Sequence, residues 1–218
     1  AEMYDNGGAE RFVGELVKVT GRTGIFITTK LLPQRFRSRE STIKAARLSL
    51  ERLGVKEADL ILIHWPDDIA SIEEQVRNLE ATAEEGLTRY IGVSNFTLEE
   101  LEVARSSLRK HDIVVNQVKY SVLDRAVEEK MLPYAIREGI TIQAYTPLER
   151  GAVLKASRLK EIASKYGKTP VQVALNYLIS RPRVIAIPKA EKVEHVREIV
   201  GALGWRLREE DIEVLSKL

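Results

Sequence analysis

Six short runs of Val, Ile and Leu, each set apart from the next by a helix-length amphipathic segment, constrain this chain more than any other feature. The runs fall at residues 25–29, 60–63, 90–93, 113–118, 141–145 and 184–187. They are nearly continuous in apolar character. A strand with one face in water alternates apolar and polar residues, whereas a strand covered on both faces does not need to. The segments between them carry helix signals. Ser38 stands ahead of Ile43, Ala46, Leu50 and Leu53, which recur on one helical face, and Gly54 follows as a stop. Ser71 with Glu74 and Thr97 with Glu100 fit the capping box, and Thr169-Pro170 reads as a cap and first helical residue.

Strict strand–helix alternation without a long linker implies a parallel sheet in one domain, spanning residues 1–218. A doubly wound sheet and a closed (β/α)8 barrel both fit. No G-x-G-x-x-G follows any of the runs, and Gly7-Gly8 alone is too little for a phosphate loop. The barrel is therefore the expected architecture. A barrel closes with eight strands, so the expectation includes a chain that is incomplete at its N-terminus, lacking the first two strands.

Composition narrows the function. Lys and Arg number 34 against 32 Asp and Glu, a net charge of +2, which speaks against nucleic-acid binding through overall charge. No apolar run approaches the ~20 residues of a membrane-spanning helix, and no signal peptide is visible, so a cytoplasmic location with no membrane partner is expected. Cysteine is absent and His numbers only 3, which removes disulfides and thiolate sites and argues against a metal. Low Met with plentiful charge is a mixture that leans toward thermophile proteins. A monomer or weak oligomer is expected.

In a parallel barrel the active site gathers at the carboxyl ends of the strands. Those ends carry Lys30, His64, Ser94, Asn95, Gln117, Tyr145 and Lys189, with Tyr4 upstream of the first run. No Asp or Glu ends a run, so neither a hard-cation site nor a glycosidase carboxylate pair is on offer. No Ser occupies a nucleophile elbow. What remains is a Tyr, a Lys and a His beside amides and hydroxyls. Each alone is what a surface or a helix cap commonly places there; their convergence at one face points to chemistry.

Several motifs carry a family resemblance. Ala1-Glu2-Met3-Tyr4, Phe26-Ile27-Thr28-Thr29-Lys30, Asp59-Leu60-Ile61-Leu62-Ile63-His64-Trp65-Pro66, Ile91-Gly92-Val93-Ser94-Asn95-Phe96, Asn116-Gln117-Val118, Ala144-Tyr145-Thr146-Pro147-Leu148 and Ile187-Pro188-Lys189 resemble the aldo-keto reductases, in the family's order. The resemblance implies a (β/α)8 barrel that reduces aldehydes or ketones with NADP(H), NAD(H) being the alternative cofactor. It implies Tyr4 as proton donor, Lys30 as the partner that eases its proton release, and His64 as the group orienting the carbonyl. Met3 and Trp65 then line the substrate pocket. Ser94, Asn95, Gln117, Tyr145, Thr146 and Leu148 hold the nicotinamide end, while Lys189, His195 and Glu198 meet the adenosine end. Three positions depart from the family pattern: Ala190 lacks a hydroxyl, His195 stands where Arg is common, and Ile199 where Asn is common. The family's catalytic Asp is expected just ahead of the Ala1 segment.

The same residues admit two other functions. A catalytically silent barrel could bind the cofactor as a regulatory subunit, against which stand Tyr4, Lys30 and His64. A Schiff-base lyase could use Lys30 or Lys189 as an amine nucleophile, but nothing beside them is built to handle an imine.

Overall fold

The computed structural model describes residues 1–21 and 24–218. Its strands are β1 (Thr28–Leu31), β2 (Ala58–Ile63), β3 (Thr88–Ser94), β4 (Ile113–Lys119), β5 (Thr141–Tyr145) and β6 (Val184–Ala186), in the sheet order β1-β2-β3-β4-β5-β6. Pairing is parallel where β1 meets β2, β2 meets β3 and β5 meets β6. The sequential order and parallel pairing are those expected of consecutive βα units. The chain divides into two compact units, residues 1–116 and 117–218, with the boundary inside β4.

In the first unit α1 (Gly8–Thr20) precedes β1, and α2 (Arg39–Leu53), α3 (Ile72–Glu84) and α4 (Leu98–Ser107) follow β1, β2 and β3. The expected caps form. Ser38 accepts from the Ser41 amide and Gly54 ends α2 at φ 65°. Thr97 and Glu100 complete a reciprocal capping box, and Ser71 accepts from the Glu74 amide. The core of this unit runs along β2, where Leu60, Ile61, Leu62 and Ile63 are all fully buried. Burial on both faces explains their unbroken apolar run.

One boundary needs correction. The first strand covers Thr28–Leu31, not 25–29. Ile27 donates its amide to the Asp59 carboxylate at 2.8 Å, and Ile25 and Phe26 stay exposed ahead of the ladder. Pairing with β2, not hydrophobicity, defines where this strand begins. The register then aligns the functional ends. Leu31 pairs with Ile63, and Ile63 pairs with Val93. Lys30, His64 and Ser94 consequently share one end of the sheet.

In the second unit α5 (Met131–Glu138) lies between β4 and β5, α6 (Ser157–Tyr166) and α7 (Pro170–Ile179) between β5 and β6, and α8 (Val193–Val200) and α9 (Glu209–Leu215) follow β6. Thr169 and Gln172 form a capping box with Pro170 at the first turn of α7. Tyr120 and Tyr177 are fully buried and both donate to Glu128 Oε1, at 2.5 and 2.8 Å. No helix among the described residues is long and apolar enough to cross a membrane.

Candidate active site

Tyr4 opens a tight turn in which Asp5, Asn6 and Gly7 all take left-handed backbone angles, at φ 51°, 47° and 81°. The Asp-Asn-Gly sequence suits this conformation, since short polar side chains and glycine tolerate it best. The turn leads into α1 and leaves the Tyr4 ring 46% exposed. Beneath it Lys30, only 8% exposed, projects from β1.

The Lys30 ammonium donates to Tyr4 Oη at 2.9 Å, and His64 Nε2 lies 3.5 Å from the same oxygen. The Tyr4 and His64 rings meet edge to face, with centroids 5.5 Å apart. His64 directly follows β2, and its amide donates to the Leu31 carbonyl at 3.0 Å. Burial, reinforced by the Lys30 charge, pushes the His64 pKa down to about 4. The imidazole is therefore neutral at neutral pH. Its Nδ1 is buried with no hydrogen-bond partner. Trp65 packs against His64 with ring centroids 4.6 Å apart, and Met3 stands half exposed beside Tyr4 in sequence. Thus Tyr4, Lys30 and His64, expected together, are together.

Ser94 is buried at the end of β3, and Asn95 follows at φ 61°. The Asn95 amide nitrogen donates to the His64 carbonyl and to Ser94 Oγ, both at 3.1 Å. Asn95 thereby ties the ends of β2 and β3, a scaffolding contact that its sequence neighbourhood did not announce. Asn116 likewise donates to the Phe96 carbonyl at 2.9 Å.

In the second unit Gln117 is buried on β4 and donates to Gln143 Oε1 at 2.8 Å. Tyr145 ends β5, half buried, and its carbonyl accepts from the Tyr120 amide at 3.4 Å. Thr146 (φ 53°) and Leu148 follow, both half buried. Lys189 is exposed and ion-paired to Glu191. His195 is exposed on α8, and Glu198, half buried, gives its carbonyl to the Gln172 amide at 3.1 Å. Lys192 caps α8 with no side-chain acceptor for the first amides of that helix.

The residues missed by motif reading lie behind Tyr4. Glu10 on α1 is 1% exposed and accepts from Thr29 Oγ1 at 2.5 Å and from Arg52 Nε at 2.6 Å. Glu2 accepts from the Leu32 amide at 2.8 Å and from Arg35 Nε at 3.2 Å. The sequence signal that could have pointed here is the Asp5-Asn6-Gly7-Gly8 stretch after Tyr4, whose residue types favour a turn. Among the described residues no group of three or more His, Asp or Glu is arranged to hold a metal ion.

Known proteins share this arrangement of chain. A methylglyoxal reductase, YeaE, of Escherichia coli (strain K12) is 33% identical over 223 residues, covering 100% of this chain and 77% of that protein. A glyoxal reductase of Bacillus subtilis (strain 168) is 33% identical over 222 residues, covering 100% of this chain and 76% of that protein. A thermostable aldo-keto reductase solved with the inhibitor epalrestat superposes with a TM-score of 0.93 at 37% identity, over 99% of this chain and 79% of that one. An aldo-keto reductase from Klebsiella pneumoniae solved with NADPH gives a TM-score of 0.91 at 31% identity, over 99% and 77% of the two chains. The Aldo/keto reductase family model matches residues 1–218, and a chain that keeps the family's motif order on the family's fold from end to end belongs to the aldo/keto reductase family.

Proposed function

We propose that this protein reduces aldehydes or ketones to alcohols with NAD(P)H, Tyr4 giving the proton, and that small dicarbonyl compounds are among its substrates. The single observation that carries the reading is the Tyr4 oxygen held 2.9 Å from the Lys30 ammonium and 3.5 Å from His64 Nε2. The substrate class rests on the relatives named for methylglyoxal and glyoxal.

The residues fit a nicotinamide dinucleotide by their chemistry. Ser94 and Asn95 in the first unit, and Gln117 in the second, are uncharged groups of the kind that match a carboxamide, which both donates and accepts. Tyr145, with Thr146 and Leu148 after it, offers a ring and apolar surface. Lys189, His195 and the α8 N-terminus, whose first amides have no side-chain acceptor, suit a phosphate, and Glu198 suits an adenosine donor. This favours NADP(H), with NAD(H) as the alternative. When bound, the reduced nicotinamide supplies the hydride.

The chain's own part is the proton and the field. Negative charge grows on the carbonyl oxygen as the carbon is reduced, so a donor must already be aimed there. Neutral His64 cannot supply an imidazolium proton near pH 7, and the half-exposed Tyr4 hydroxyl, backed by the buried Lys30 ammonium, is the donor in this reading. As that proton leaves, the Lys30 ammonium faces the oxygen left behind, and its burial makes the bond charge-assisted in a poorly solvated place. His64 presents a neutral polar edge that orients the carbonyl, and Trp65 holds the imidazole in place. The half-exposed Tyr4 ring leaves the oxygen approachable.

Steady-state reduction of methylglyoxal by a Tyr4→Phe protein tests this. Turnover should fall by roughly 10²- to 10⁴-fold with NADPH binding retained. Turnover at the wild-type rate would refute Tyr4 as the donor.

A further inference from the structure

Tyr4 and Lys30 come from different segments, and a buried charged cluster behind them joins those segments. We infer that Glu10, locked by Arg52, is a positioning residue that sets the Tyr4–Lys30 geometry. The inference rests on the reading of Tyr4 as proton donor.

Glu10 sits in the first turn of α1, immediately after the turn that bears Tyr4. One carboxylate oxygen accepts from Thr29 Oγ1 at 2.5 Å, and Thr29 is the neighbour of Lys30 on β1. The other accepts from Arg52 Nε at 2.6 Å, and Arg52 also donates to Ser49 Oγ at 3.0 Å. A single carboxylate thus links the helix that continues the Tyr4 turn to the strand that carries Lys30 and to the end of α2.

The backbone between Glu10 and Tyr4 shows why such a link is needed. Two successive left-handed non-glycine residues, Asp5 and Asn6, are costly for L-amino acids, and they persist only where surroundings over-determine them. Arg52 supplies that support. A Cβ added at Gly7 would lie 2.5 Å from Arg52 Cδ and 2.6 Å from its Nε, so the turn rests directly on the Arg52 side chain. Glu10 holds that side chain in place. Neutralising Glu10 frees Arg52, releases Thr29 and lets the turn relax. The Tyr4 oxygen then drifts from Lys30, and a displacement near 1 Å can cost on the order of 10²-fold in rate. Neither Glu10 nor Arg52 is among the residues assigned to substrate or cofactor, so the loss is expected in kcat and not in binding.

The test uses the whole protein with methylglyoxal and NADPH, well below each variant's melting temperature. Glu10→Gln should lower kcat by about 10- to 100-fold while KM and the NADPH Kd stay near wild type. In a Tyr4→Phe background the same change should cost nothing further, because a positioning residue acts only through the group it positions. Arg52→Ala should mimic Glu10→Gln, and Arg52→Lys should recover part of the rate. A Glu10→Gln protein that melts lower but turns over normally overturns the inference. So does an equal loss from Glu10→Gln in the Tyr4→Phe background, which is the mark of a general structural defect. If Glu10→Gln does not fold, the Arg52 pair decides: equal rates for Arg52→Lys and Arg52→Ala overturn the inference, and recovery by Lys supports it. If Tyr4→Phe alone turns over normally, the proton-donor reading itself fails. If Tyr4→Phe is inactive while Glu10→Gln is normal, only the positioning role fails.

Discussion

The Lys30 ammonium reaches the Tyr4 hydroxyl at 2.9 Å across a sequence separation of 26 residues, one residue on a buried strand and the other on an exposed turn. This pairing couples a buried strand to a strained turn that a neighbouring charge cluster supports. The lysine is largely buried, so its charge acts on the phenol oxygen in a poorly solvated place. Lys30→Met should therefore be at least as damaging to kcat as Tyr4→Phe, with NADPH binding kept, as measured by fluorescence titration. A Lys30→Met protein faster than Tyr4→Phe would show that the ammonium is dispensable.

His64 titrates far below its ordinary range, at about 4, because burial disfavours its charged form and Lys30 repels it. The unfolded chain takes up this proton near the ordinary value of ~6.5 and the folded protein does not. Protons thus favour unfolding between those two pH values. Stability from this group is complete above the unfolded value and falls as pH drops through the window, by on the order of 3 kcal/mol in all. Denaturant unfolding at pH 7.5 and 4.5 should show this loss, and His64→Gln should reduce it. In NMR the His64 ring should not titrate between pH 5.5 and 8. A midpoint near 6.5 would contradict the buried neutral state.

Glu80 on α3 is 4% exposed, and its carboxylate accepts from the amides of Arg109, Lys110 and His111 at 2.7–3.3 Å. Burial alone would raise its pKa, yet the three backbone bonds together bring it below the usual value. A depressed carboxylate stabilises the fold above its unfolded pKa and loses that contribution as pH falls through the folded one. Glu80→Ala should cost about 1.5–3 kcal/mol at pH 7 and less at pH 3, read from urea midpoints. Equal losses at both pH values would show that charge is not the cause.

Gly92 lies within β3, where an added Cβ would sit 2.6 Å from Leu62 Cδ2 and 2.7 Å from the Val115 carbonyl. The carbonyl is backbone and cannot step aside cheaply. Gly92→Ala should destabilise by about 1–3 kcal/mol, while Gly86→Ala, at φ 68° with open space around it, tests left-handed strain alone. A Gly92→Ala melting temperature at or above wild type would remove the steric account.

Lys189 is exposed and paired with Glu191, which depresses the Glu191 carboxylate pKa. If Lys189 meets the ribose phosphate, Glu191 competes with that phosphate. Lys189→Ala should weaken NADPH by roughly tenfold or more and NADH little. Glu191→Ala should move NADPH affinity the other way. Isothermal titration with both cofactors checks the pair, and equal losses for NADPH and NADH would exclude the phosphate contact.

The strands and the helix caps were legible in the sequence because they depend on local chemistry. An apolar run buried on both faces announces itself, as 60–63 does. The caps at Ser38, Thr97 and Thr169, and the stop at Gly54, need only near neighbours. Lys30 and His64 were readable as candidates because strand ends share one face in a parallel sheet, and Tyr4 through the family resemblance of the Glu2-Met3-Tyr4 run. Tertiary structure decided what depends on distant partners. The start of β1 was set by pairing with β2 and by Asp59, so hydrophobicity alone placed it three residues early. The bond from Asn95 to the His64 carbonyl and the Glu10–Arg52–Thr29 cluster join residues 19 to 42 positions apart. No periodicity reports such contacts, because a buried charge finds its partner through packing in three dimensions and not along the chain.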